Sequence, residues 1–347
     1  MKITKKVIGS LEKCYSLSEL YYNDKQHFLV AAEKVNKCLL FDKDGNLEET
    51  VWEGPGGTMS IVPLEDRNGE FLATHEFYSP NDSKEAKIIR AIPKGKDNWE
   101  IKTLVEVPFV HRFDILQKNG VKYLFVCALK SGHNCKDDWS MPGKVFFAVL
   151  PENLDDYDEK KQLPLKELKS GMLKNHGYYK HQDEVGESAI VSCEQGVYQF
   201  IPPMESDGEW EIKQLIDTPA SDAVMLDLDN DGEEELFVFA PFHGDTCSIY
   251  KKHKDSYQLD YEYPEKLDFL HALYGGKLWG KSRVIVGNRQ GEKKLLSFSV
   301  DEKGKYEVEE LDSGYGAANV MVYRKNQEDI LVAANRETDE IAMYTLD

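Results

Sequence analysis

One strand pattern returns seven times along this chain, and that return limits the folds open to it more than any other feature. Trp99–Pro108 reads WEIKTLVEVP and Trp210–Pro219 reads WEIKQLIDTP, the same outer strand written twice, and Tyr306–Gly314 and Leu47–Gly54 fill the same slot. After each comes an inner strand, a short turn and a second apolar strand. The second strands lie at 27–33, 71–76, 123–130, 189–194, 235–242, 283–289 and 329–336. A period of roughly fifty residues with strand patterning and no helical run predicts radial repetition rather than a sandwich. The last copy has three strands only, whereas Ile3–Lys13 has outer-strand character, so pairing the two ends closes a ring and removes exposed edges. The expectation is an all-β, seven-bladed β-propeller of four-stranded antiparallel blades, formed by residues 1–347 as one domain. Its blades are expected at 11–54, 55–107, 108–171, 172–218, 219–266 and 267–314, with 315–347 completed by 3–10. Residues 137–171, with the charged run Asp155–Lys161, depart furthest from the repeat and read as a solvated loop insertion in the third blade.

The turn between two strands at 227–235 carries Asp227, Asp229 and Asp231 at alternate positions, then Gly232 and Glu235. Alternate carboxylates can surround a hard cation while the glycine takes the tight bend, so Ca²⁺ or Mg²⁺ is expected there in a structural role. A solvated acidic turn is the other reading. An EF-hand is excluded, because strands rather than helices flank the loop. The segment resembles an FG-GAP or VCBS repeat, the blade unit of integrin-like propellers, and that resemblance implies the same ring.

In a propeller the inner strand starts, and the second strand ends, on one face beside the axis, where ligand sites gather. Aligning the inner strands gives the column Cys14, Thr58, His111, His176, Asp222, His271 and Asn319. The second-strand ends give Glu33, Glu76, Lys130, Glu194, a position near His243, Arg289 and Arg336. Six of the nine histidines fall in or beside these columns, while His27 and His253 lie away from them and read as surface residues. Neutral imidazoles with a carboxylate suit Zn, Mn, Fe or Ni, so His111, His176 and His271, completed by Asp222 or Glu76, are the expected central metal ligands. Histidines hydrogen-bonded to a neighbouring blade are the structural alternative. His243 or a tyrosine such as Tyr178 is the candidate base. Arg289 and Arg336 are candidate substrate clamps, with ion pairing to Glu33 or Glu194 as their other use.

The histidine arc and cation loop also resemble those of metal-containing sugar lyase and dehydratase propellers. That resemblance implies β-elimination on a small sugar or sugar acid at the channel mouth. A non-catalytic ring binding a protein or glycan partner is the alternative. A formal charge of −19 excludes nucleic acid as partner. No apolar run reaches membrane-spanning length, and the opening residues lack the core of a secretion signal. Six scattered cysteines without paired spacing suit reduced thiols, so a cytoplasmic protein is expected. Substrate identity and oligomeric state are left open by the sequence.

Overall fold

The computed structural model describes residues 2–254 and 256–347. Among these residues twenty-eight strands form seven four-stranded antiparallel sheets, six of them following chain order from an inner to an outer strand. Blades one to six span Cys14–Trp52, Ile61–Glu106, Val110–Met172, Gly177–Ile216, Asp222–Glu262 and Leu270–Asp312. The seventh runs from Asn319 to Leu346 and takes its outer strand, Ile3–Ser10, from the other end of the chain, with Ile3 opposite Leu346 and Ser10 opposite Glu340. The expected seven-bladed ring and its closure are therefore what forms. Among the described residues no helix is long and apolar enough to cross a membrane.

Each second strand has a blade on both of its faces, which is why it reads as a continuous apolar run. Val121–Lys130 is buried at its last eight positions, whereas the outer strand Glu211–Ile216 is exposed at its first four. The apolar cores lie between blades. Phe28 and Phe41 of the first blade stack at 5.2 Å and pack with Tyr323, Ile330 and Met343 of the seventh.

Two readings change here. Residues 137–171 are not one insertion: they hold the third and fourth strands of the third blade, Pro142–Val149 and Lys166–Met172, and the longest irregular part is 150–165. That irregular part is more than solvated charge. Its Leu154 and Leu163 plug the core between the second and third blades, and Asp155 pairs with the buried Arg90 at 2.7 Å. His27 is a buried residue rather than a surface one, with Nε2 2.8 Å from Glu48.

Three inner strands carry a β-bulge at their start. In the first blade Cys14 faces Ala32 and Ser16 faces Ala31, leaving Tyr15 without an opposite residue. His111 is left over in the same way between Val110 and Arg112, and His271 between Leu270 and Ala272. A bulge re-aims the extra side chain. Two residues before each lies a non-glycine residue with positive φ: Lys13 at 54°, Phe109 at 62° and Phe269 at 61°. The first-blade member of the axial set is therefore Tyr15, not Cys14.

Candidate metal centre

The histidines converge. His176 precedes the fourth inner strand, and His243 sits in the turn after the fifth blade's second strand with φ of 49°. The nearest ligand atoms of His176, His243 and His271 lie within 4.8 Å of one another. His111, His176 and His271 are 3, 1 and 4 % exposed, and His243 is half-buried, its ring stacked between Phe242 at 4.0 Å and Phe269 at 4.4 Å.

Hydrogen bonds fix the tautomers. His176 Nδ1 donates to the Asp222 carboxylate at 2.9 Å, His271 Nδ1 to the Ala318 carbonyl at 2.7 Å, and His111 Nδ1 to the His176 carbonyl at 3.1 Å. A carbonyl or carboxylate can only accept, so in each ring the proton sits on Nδ1 and Nε2 is the nitrogen left to face a ligand or a donor. His176 Nε2 and His243 Nε2 are 3.2 Å apart, and His271 Nε2 accepts from the Tyr15 hydroxyl at 3.2 Å. Burial, then neighbouring charge, holds His111, His243 and His271 well below the usual imidazole range; after burial the largest contributor is His176 for the first two and Arg289 for His271. These three rings are neutral at physiological pH.

The expected metal set is only partly the observed one. His176 and His271 are in the ligand group, and His243, expected as a base, joins them. His111 stands beside it, its ring 4.4 Å from that of His176, and Asp222 supports His176 from behind rather than joining the group. Glu76 is elsewhere engaged, paired with Lys87 at 2.6 Å. Tyr178 packs against Phe125, and burial together with Asp114 pushes its phenol well above the ordinary value, which disqualifies it as a base. The two arginine clamps are also spent. Arg289 binds Glu337 at 2.8 Å, while Arg336 binds Glu33 and, at 2.8 Å, the same Glu337.

Sequence reasoning missed Tyr15 and Arg112, each one position from a residue it did select. Arg112 donates to the Met59 carbonyl, lies 3.5 Å from the Tyr15 hydroxyl, and makes no ion pair among the described residues. It borders an axial channel of about 200 Å³ with Ser16, Ser60, Asp222, His271 and Asn319. The only guanidinium of the set free to meet an anion is this one.

The acidic loop brings Asp227, Asp229 and Glu235 within 4.8 Å, but Asp231 stays outside, its carboxylate accepting from the Glu233 amide at 2.8 Å. Gly232 takes the predicted bend with φ of 93°. The Lys251 ammonium reaches into this group, 2.5 Å from Asp229 and 3.4 Å from Glu235.

No protein-family model matches the chain, so the FG-GAP or VCBS likeness rests on that single loop. No curated protein sequence matches either. Solved structures do. A streptogramin B lyase structure aligns over 99 % of this chain and 98 % of its own at 14 % identity, with a TM-score of 0.58. The periplasmic gluconolactonase PpgL of Pseudomonas aeruginosa aligns over 96 and 92 % at 13 % identity and 0.59. BBS1N, solved in complex with ARL6DN, aligns over 99 and 95 % at 13 % identity and 0.59. At such identities these similarities establish a fold shared by enzymes and by a protein-binding ring: this chain is a seven-bladed β-propeller.

Proposed function

We propose that this ring is a metal-dependent carbon–oxygen lyase or dehydratase, acting by β-elimination on a small sugar or sugar acid in the axial channel. One observation carries the reading: imidazoles from three different blades, two buried and one half-buried, bring ligand nitrogens within 4.8 Å of one another. The donor set fits a divalent transition metal. Two nitrogens bound to one metal at about 2.1 Å stand roughly 3.0–3.4 Å apart for angles of about 90–110°, and the His176–His243 separation is 3.2 Å. The carboxylate behind His176 is the support that metal-bound histidines commonly have. His176, His243 and His271 would hold the ion, which would supply Lewis-acid stabilisation of developing enolate charge.

The chain's own groups do the rest. Arg112 pairs with a substrate carboxylate, because its guanidinium borders the channel without a protein counter-ion. His111, outside the ligand group with Nε2 unprotonated and its ring 4.4 Å from that of His176, would take the α-proton and hand it to the departing β-oxygen, which leaves as water or an alcohol. The channel limits the substrate to about the size of one sugar ring. The fold likeness to a streptogramin B lyase accords with a lyase reaction, and that to a gluconolactonase with a sugar-derived substrate.

The test combines elemental analysis with an ultraviolet assay for the conjugated product on a panel of uronic and aldonic acids. Wild-type protein dialysed against Zn²⁺, Mn²⁺, Fe²⁺ or Ni²⁺ should retain one equivalent of one of them, and His176→Ala should lose it together with activity. Protein that retains none sinks the metal centre. Retained metal with gluconolactone hydrolysis and no elimination keeps the centre and replaces the reaction.

A further inference from the structure

The inner strand of the second blade is only three residues long, Ile61–Pro63, whereas those of its neighbours are nine. The missing length opens a cleft of about 1150 Å³ on the face where inner strands end, opposite the histidines. The cleft and the axial channel share Ile61, Val62 and Asp114 in their walls, so they adjoin one another. The channel in turn reaches Asp222 and His271. On the histidine face the way in is obstructed, since Phe242 and Phe269 enclose the His243 ring and Trp139 leans on Phe242 at 5.4 Å.

Charge differs between the two faces as well. On the histidine face Lys174 and Arg289, near His243, are already paired, with Glu194 at 3.2 Å and Glu337 at 2.8 Å. In the cleft Glu19, Glu65 and Glu152 border an apolar floor that includes Leu64 and Ile115, and none of the three carboxylates makes an ion pair among the described residues. Arg67, Lys122 and Lys180 also line the cleft, but seven carboxylates outnumber them, and a net negative cleft walled by low-dielectric side chains concentrates cations. Arg112 does not close the route, because the Met59 carbonyl and Tyr15 draw its guanidinium to the wall and Asp114 and Asp222 line the same channel.

We propose that the cleft and channel form one passage by which a divalent cation reaches the histidine centre from the opposite face of the ring. This rests on the metal-centre reading, and equilibrium and rate measurements separate the two. The probe is Co²⁺, followed by its visible absorption in stopped flow, with stoichiometry read at the end point. Glu65→Lys with Glu152→Lys, both at exposed positions, should leave the stoichiometry at one. Loading should slow by about tenfold at low ionic strength, a difference that salt removes. Val62→Trp should slow loading in any salt. Lys174→Gln, on the other face, should leave the rate unchanged. Full stoichiometry with unaltered rates in the Glu65/Glu152 and Val62 variants, or faster loading in Lys174→Gln, overturns the passage and leaves the centre standing. Wild-type protein that binds no Co²⁺ overturns both.

Discussion

His75 ends the second strand of the second blade with its ring edge-on to Trp52 at 4.6 Å, and its Nε2 has no hydrogen-bond partner. Burial, aided by Lys87, pushes its pKa from 6.5 down to about 3. The folded state thus binds fewer protons than the unfolded one between those values. Stability falls as pH drops below 6.5 and goes on falling until about 3, where the folded protein takes up the proton too. Taking pH from 7 to 5 raises the protonation free energy of the unfolded form by about 2 kcal/mol and that of the folded form by almost nothing. His75→Phe keeps the aromatic contact and removes the proton site. In urea titrations at pH 7 and pH 5, the wild type should lose about 2 kcal/mol more than the variant. His111, His243 and His271 are depressed in the same direction, but both proteins carry them, so their contribution cancels in this double difference. Parallel pH profiles for the two proteins would refute the reasoning.

Lys251→Met removes the ammonium that neutralises Asp229 and Glu235, whose side chains are 14 and 3 % exposed, and should cost about 1–3 kcal/mol. Calcium should then stabilise the variant, by up to about 2.7 kcal/mol at a hundred times its Kd, and leave the wild type unmoved; calorimetry with and without calcium decides. Gly57→Ala would set a Cβ 2.5 Å from the Phe77 amide at a φ of 69°, so a loss above about 2 kcal/mol is expected in chemical denaturation. Removing Ile3–Ser10 bares the edge of Glu340–Leu346 and should convert the protein to aggregating material, as read by light scattering on mild warming.

The ring was legible because blade repetition writes itself into apolar runs: second strands such as Val121–Lys130 are covered on both faces and leave little choice of residue. The site was legible only to within one residue. Sequence alignment assumes that strand residues alternate strictly, and a bulge adds one residue that obeys no alternation, so Cys14 was placed where Tyr15 stands. The same rule hid Arg112, which follows a bulged histidine. His243 aligns only approximately with the second-strand ends, and its place beside His176 depends on contact between non-adjacent segments. The partners of Arg289 and Arg336 were no easier to foresee. Glu337 takes up both guanidinium groups, and nothing local in the sequence marks it as their shared counter-ion. In the acidic loop, alternation of carboxylates suggested a cation but could not reveal that Lys251, in a different strand, supplies one.

The closing strand also sets a schedule. Ile3 pairs with Leu346, so Ile3–Ser10 has no partner until Glu340–Leu346, far later in the chain, has been made. At roughly 5–20 residues per second, that wait is about 20–70 s of synthesis. Throughout it the two adjacent charges of Ile3–Ser10, Lys5 and Lys6, keep an unpaired strand in solution. The six blades made in between can stack in order, but the seventh is not whole until Glu340–Leu346 has been made and has met Ile3–Ser10. Ring closure is then a late, single event that couples every interface at once. Its reversal, rather than the loss of any one blade, is the step that governs how long the folded protein lasts.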